Sequence, residues 1–567
     1  MKVIHKGIAV VVVGTAGILL GAGLPACSSS SFALFDDAGA GDGAPPPWGN
    51  VDAGEEPQAC RDGVCTCPPY KTYCDGKCIP TTADPANCGA CGNTCTGALA
   101  CSGGVCSGTC LPGLDKCGNA CVARGSDSQN CGGCGNVCGP TQGCVAGKCE
   151  NKIPVGPAPA KCAGGGPPIQ HPPAQGGCLG NLAQTVFRWA LCSCKDVQFS
   201  KDYVTDGCDS RQGPYQPGGL GAGIGANGNY GASGTGDVWG TLWIAGSGGI
   251  APSQRHDIRS EVRSGGELKN GGGGLLVGGD AYVAGNVVDK PDIRGKLYLR
   301  NGSSADGIAE SKIVRQNVEV KPPCDYCAEG QQVPIEAIVE AHRAPKNDNA
   351  LIGLDAGAYE SPTGPLRLDL PCGEYYLTRI ASSHHVTIVA HGRTALYIDG
   401  EVSPNGLTID VAPGAELDVF VRDKIQTSGA LKIGSPNHPA ATRVYVWGDS
   451  GMTISGEVDI AGNLYVPRGS VTYSKTAAQY GAIYAGNFSA SEPVQFHYDR
   501  AILRAGDTCR PPTSGDDAGT PPPPTCGTCR DCTNQACNGG TCGKCGSSND
   551  CCAPLVCREG TCVSDVH

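Results

Sequence analysis

Cys67, Cys74, Cys78, Cys88, Cys91, Cys95, Cys101 and Cys106 recur as Cys110, Cys117, Cys121, Cys131, Cys134, Cys138, Cys144 and Cys149, each displaced by 43 residues. Eight matches without an insertion make this an internal duplication. The text between them repeats too, Asn87 to Asn93 against Asn130 to Asn136, and each unit closes with Cys-x-x-Gly-x-Cys. Gly104 and Gly147 hold the turn position there, where positive φ suits glycine. Cys60 and Cys65 frame the same closing element alone. Units this small bury too little apolar surface to stand without covalent staples. The Cys-x-x-Cys pairs Cys88/Cys91 and Cys131/Cys134 raise zinc as an alternative. Even counts and the scarcity of histidine favour disulfides, whose connectivity the spacing leaves open.

The whole chain of 567 residues has 38 cysteines, which argues against a reducing compartment. Glycine (88) and proline (42) make up nearly a quarter of it, against a usual ~12%. With 17% charged residues, two methionines and seven phenylalanines, neither long amphipathic helices nor one large aromatic core should dominate. A net charge of −11 provides no basic footprint, so no nucleic-acid partner is expected. No cofactor or metal is expected either: no Walker, HExxH, GxSxG or EF-hand pattern is present.

At the start, Lys2 and Lys6 precede an apolar run from Gly7 to Leu20, shorter than the ~20 residues of a membrane span. The run leads to Leu24-Pro25-Ala26-Cys27, which resembles the lipobox of bacterial lipoproteins. The resemblance implies a signal peptide over 1–26 and acylation of Cys27. Ser28 after it implies sorting to the outer membrane. The expected location is the cell envelope, exported and tied to the membrane by the N-terminal lipid, with ordinary secretion as the alternative. Residues 27–58, serine-, acid- and proline-rich, read as a disordered tether.

The duplicated units, within residues 59–150, resemble the stigma-specific cysteine-rich secreted family through Asp84-Pro85, Asn87-Cys88-Gly89, Cys91-Gly92 and the closing element. That resemblance implies extracellular recognition.

A Pro/Gly linker spans 151–177, and a mainly β domain is expected over 178–508. Val238, Gly240, Leu242, Ile244 and Gly246 alternate with other residues, and the pattern returns at Val277–Val287, Leu396–Gly406 and Ile454–Val466. Period two puts these residues on one strand face, and glycine in that register permits a sharp bend or a close neighbouring backbone. Stacked coils of this kind predict a right-handed β-helix or solenoid; a flat sandwich is the competitor. A short helix beginning at Asn181 is expected to cap one end, and a second short helix to run from Pro334 to His342. Cys324 and Cys327 fit a bridged loop better than a redox pair, since βαβ surroundings are missing. The stretch from Cys372 to Leu503, with Gly462-Asn463-Leu464-Tyr465-Val466-Pro467 and Tyr480 to Gly486, resembles an uncharacterised β-helical domain of bacterial surface and pilus-related proteins. Its glycine-spaced rungs are similar to those of the bactofilins.

Beyond a proline-rich linker over 509–525, ten cysteines crowd residues 526–567, and Cys545, Cys551, Cys552, Cys557 and Cys562 resemble a knottin core. Removing Cys27 leaves an odd number of cysteines, so one is left over or bridges to another molecule.

The first functional reading is a non-enzymatic envelope protein for structure, adhesion or recognition, with a glycan or protein ligand. Its rival is a polysaccharide-processing β-helix enzyme, for which His385, His391, Asp399 and Glu401 are the best outward constellation. A third is an inhibitor or ligand acting through the knottin-like module.

Overall fold

In a computed structural model of the chain, the described residues are 59–61, 64–67, 71–157, 183, 186–213 and 215–505, with four short C-terminal strands. The chain divides into Met1–Pro47, outside the described residues, and Trp48–His567, to which everything below belongs. Cys27, the expected tether, residues 158–177, Asn181, Cys551 and Cys552 lie outside the described residues. Near the C-terminus, Ala536–Asn538 pairs with Thr541–Gly543 and Leu555–Arg558 with Thr561–Ser564, which sets Cys557 opposite Cys562.

The protein is mainly β. Twenty-nine short strands join in one parallel, solenoid-like array, whose coils turn through three faces, here A, B and C. Residues 191–208 make one complete coil: Leu191–Ser193 on A, Val197–Phe199 on B, Tyr203–Cys208 on C. Alternate side chains point inward, as in Val197–Phe199, where Gln198 is exposed between two buried neighbours. Glycine marks corners where backbones crowd. A Cβ on Gly246 would collide with the Gly228 carbonyl, and one on Gly456 with that of Gly429.

The coils do not stack in chain order. Above the 191–208 coil the chain climbs through Ile224–Ala226, Leu242–Ile244, Val262–Ser264, Ala281–Val283 and Leu297–Arg300 to Ile313–Gln316 on face A. It then returns along the outside as a strap, and Leu366–Leu370 opens a second set of coils. These climb until Ile483–Ala490 and Val494–Asp499 pair beneath the 191–208 coil. The 191–208 coil therefore sits at a seam in mid-stack. The segment expected as an end cap enters there: Ala183 and Val186 are helical and buried in the common core, and the Phe187 carbonyl accepts from Tyr498 Oη at 2.7 Å. It covers a flank because the coil it leads into is internal. Across the seam an aromatic cluster joins the two sets, with Phe199 at 5.6 Å from Phe488 and 6.2 Å from Phe496.

The strap lies along face A. Trp243 Nε1 donates to the Lys321 carbonyl at 2.7 Å, and disulfides Cys192–Cys324 and Cys194–Cys327 fasten the strap at the seam. Val333 N donates to Tyr465 Oη at 3.2 Å. The helix Ile335–Ala341 follows, and His342 stacks on Tyr397 at 3.8 Å.

In each cysteine repeat the first and third, second and fifth, fourth and seventh, and sixth and eighth cysteines are joined: Cys67–Cys78, Cys74–Cys91, Cys88–Cys101 and Cys95–Cys106. The second repeat has the same pattern. Gly104 and Gly147 take φ of 82° and 80° in the closing hairpins.

Candidate functional site

Four side chains were expected to form an outward constellation, and each is bonded to a residue outside that set. His385 Nε2 lies 2.9 Å from Thr408 Oγ1, and burial lowers its basicity. His391 Nε2 meets Asp369 Oδ1 at 3.0 Å. Asp399 accepts from Tyr376 Oη at 2.7 Å, Arg422 Nη1 at 2.9 Å and Arg343 Nη2 at 2.6 Å. Burial pushes its carboxyl up, but these three donors outweigh it and hold the group below the usual carboxylate range. Glu401 pairs with Lys424 at 3.4 Å. His391 and Asp399 flank opposite ends of the strand Arg393–Ile398, about 25 Å of extended chain. That separation is far beyond the ~5–9.5 Å over which two groups act on one glycosidic bond.

Cys324 and Cys327 are not joined to each other; each is bridged to the 191–208 coil. In the repeats, the sulfurs of Cys88, Cys95 and Cys106, and those of Cys131, Cys138 and Cys149, lie within 4.8 Å of one another. All six are disulfide sulfurs, whereas zinc takes thiolates.

A different cluster sits on face C of the seam. His497 Nδ1 is 2.8 Å from Asp206 Oδ1, and Tyr215 donates to Asp206 Oδ2 at 2.6 Å. The His497 ring lies between Tyr215 and Tyr480, at centroid distances of 4.4 and 4.6 Å. One residue pair along, Ser210 N and Oγ donate to the buried Asp499 at 2.9 and 2.7 Å. Cys208 shares this face, and burial followed by the charges of Asp499 and Asp206 pushes its thiol well up. It is held as a thiol, not a nucleophilic thiolate. The arrangement ties the last coil to the 191–208 coil and carries no activated nucleophile. Period two puts His497 and Asp499 on one strand face, but Asp206 is 291 residues away from its histidine partner, and nothing local in the sequence signals it.

A cleft of about 390 Å³ crosses the seam, lined among others by Asp202, Tyr203, Asp237, Arg255 and Asp257. Two of its three carboxylates are matched by arginines, and the third, Asp202, accepts from Thr235 N at 2.7 Å. Arg259 grips Asp237 at 2.9 and 3.1 Å, and Arg255 grips Asp257 at 3.0 and 3.1 Å.

Much of the outer surface is covered by the chain itself. Outward on face A, Tyr376, Tyr397, Phe420, Tyr445, Tyr465 and Tyr484 stand in register, and the strap and its helix pass over this column. The cysteine repeats dock on face C of the lower coils. Arg367 Nη1 donates to the Ser126 and Cys144 carbonyls, Gly103 N to Asn437 Oδ1 at 3.0 Å, and Thr82 Oγ1 meets His438 Nδ1 at 3.1 Å.

Residues 331–505 match the family model described as a domain of unknown function, DUF7305, so the chain carries a DUF7305 domain. No curated protein and no solved structure matches the chain. The matched span takes in the strap helix and every coil below the seam. The coils from 191 to 316 lie outside it, stacked on its upper edge.

Proposed function

We propose that this is a non-enzymatic cell-envelope lipoprotein, anchored through Cys27 and acting in surface structure, adhesion or recognition. The many disulfides suggest an extracytoplasmic protein. The lipobox-like Leu24 to Cys27 and Ser28 support anchoring at the outer membrane, and the stigma-specific resemblance supports recognition outside the cell. The observation that carries the non-enzymatic reading is the pairing of Asp369, Asp399, Glu401, Asp237 and Asp257, each held by a cation or a histidine. A polysaccharide-cleaving solenoid needs a carboxylate or base left free to meet substrate. The bactofilin resemblance concerns the glycine-spaced rungs, and no activity is carried over from it. At the lower end, Lys152 bridges Arg367 on Leu366–Leu370, and at the upper end the strand Ile313–Gln316 presents the exposed Arg315.

Two measurements test the reading. Cys27→Ser should abolish acyl labelling and move the protein from the membrane to the soluble fraction. On a glycan array followed by product analysis, the intact chain should bind without turnover. Turnover lost in His391→Ala or Asp399→Asn would make the protein an enzyme, and full activity of residues 526–567 alone would make the knottin-like module the effector.

A further inference from the structure

Faces A and C of the lower coils are covered by the strap and the repeats, while the described residues leave face B open through the seam. Its outward positions form two columns. In the first, Gln426, Thr453, Thr472, Ser489 and Gln198 stand in direct parallel register. Gln426 and Gln198 are exposed and the three hydroxyl residues half-exposed. The second runs along the neighbouring corner as Ser455, Ser474, Ser491, Ser200, Ser233 and Ser253. Each serine N–H donates to the carbonyl just before the corresponding position one coil below, at 2.9 to 3.2 Å. All six are exposed or half-exposed. Parallel pairing spaces both columns at about 4.8 Å along the stack. They cross the seam without a break: Ser489 and Ser491 belong to the last coil, Gln198 and Ser200 to the one above.

The chain carries a net charge of −11, yet neither column holds a charged residue. Lys475, Glu492 and Lys201 each follow a serine and stand at the rim. Nor do the columns hold the Trp, Tyr or Arg anchors on which protein interfaces depend. Hydroxyls and carboxamides both donate and accept hydrogen bonds, so this face matches a partner that offers both at regular intervals along a line and bears no charge. Single contacts of this kind are weak, but a repeating ligand laid along a repeating receptor engages many together. We infer that face B binds a neutral polysaccharide, its chain lying along the solenoid axis. This rests on the recognition reading above and names its surface and ligand class.

The test uses the intact purified chain, retained on insoluble cellulose and run by affinity electrophoresis in a soluble neutral glucan and in polygalacturonate. Wild type should be retarded by the neutral polymers and much less by polygalacturonate. Thr453→Lys with Thr472→Lys should weaken retention at least tenfold, and Thr453→Val with Thr472→Val, which keeps shape and removes hydroxyls, several-fold. Arg263→Ala on face A should change nothing. Thermal melting verifies that every variant folds. The inference is overturned if the folded lysine pair binds as wild type, or if wild type is retained by no neutral polymer. It is also overturned if the same variants lose ice-shaping activity while polysaccharide retention is unchanged, since the face would then order water. Glycan-array binding that survives both double variants would sink face B alone and leave the recognition reading standing; an array with no binding at all would sink both.

Discussion

The Arg443 guanidinium lies fork-on against the Asp418 carboxylate, Nε donating to Oδ1 at 2.6 Å and Nη2 to Oδ2 at 2.8 Å, with both side chains buried. Nη2 also reaches Glu416 Oε2 at 2.8 Å, and Glu416 accepts from Arg393 at 2.6 Å. Two cations thus face two carboxylates along face A. Removing one partner strands a buried charge, at a cost of about 3–5 kcal/mol. Asp418→Leu should destabilise by that amount in urea unfolding, while Asp418→Leu with Arg443→Met should cost far less than the two singles together. Strict additivity would show that the pair is not coupled.

The strap closes large loops, since Cys192–Cys324 spans 132 residues and Cys194–Cys327 spans 133. Closing loops this long constrains the unfolded chain, and losing such bridges typically costs about 2–5 kcal/mol. The second bridge adds less than the first because the loop is already closed. Cys324→Ser with Cys327→Ser should therefore lower stability within that range. It should also open residues 317–334 to limited proteolysis before the coils are cut. Uncut strap in the double variant would mean that Trp243 and Tyr465 hold it unaided.

The coils themselves were legible: alternation around Gly240, Gly279 and Gly456 reports narrow rungs, because a stacked backbone leaves no room for a Cβ at the corners. Their order was not. The seam pairs Tyr203 with Val494, and loop closure over such a distance leaves no local pattern. The aromatic column is not legible either, because coil length varies, from 19 residues between Tyr465 and Tyr484 to 25 between Phe420 and Tyr445. A fixed-period search loses that register. His385, His391, Asp399 and Glu401 read as one outward constellation because period two says which face a residue takes, but not how far along the strand it stands. The repeats' docking was invisible for another reason: Ser126 and Cys144 offer backbone carbonyls to Arg367, and every residue has one.

Arg367 is the latch of that docking. It is 3% exposed, donates to two carbonyls of the second repeat, and holds Asp369 with Nε and Nη2 at 2.9 and 2.8 Å. Hydrogen bonds to a charged group are worth about 1.5–3 kcal/mol each. Arg367→Ala should speed amide exchange across residues 120–151 while the coils above 393 keep their protection. Arg367→Lys should not restore it, because an ammonium cannot span two carbonyls and a carboxylate in one plane. Equal exchange in wild type and Arg367→Ala would place the docking energy elsewhere.

The first repeat's docking should respond to acid through His438. Its ring is 2% exposed and meets Thr82 Oγ1 across the interface. Burial holds its pKa down at about 4, against the opposing pull of the Asn437 backbone and the Asp410 charge. An unfolded histidine titrates near ~6.5. Between these values the unfolded chain binds the proton and the folded one does not, so stability falls as pH drops from about 6.5 to 4 and levels off below. The full loss is on the order of 3 kcal/mol. His385 and His256 are also lowered by burial and add to the wild-type slope in the same window, so the variant difference isolates His438. Asp369 acts elsewhere: burial raises its carboxyl, His391 and Arg367 more than offset that, and the depressed group loses its contribution only below the usual carboxylate range. His438→Gln should thus flatten part of the urea-stability profile between pH 7 and 4.5, with the gap from wild type changing across that window. A gap that stays constant with pH would mean that the ring takes up its proton equally in the folded and unfolded chain, and His438 would then be packing alone.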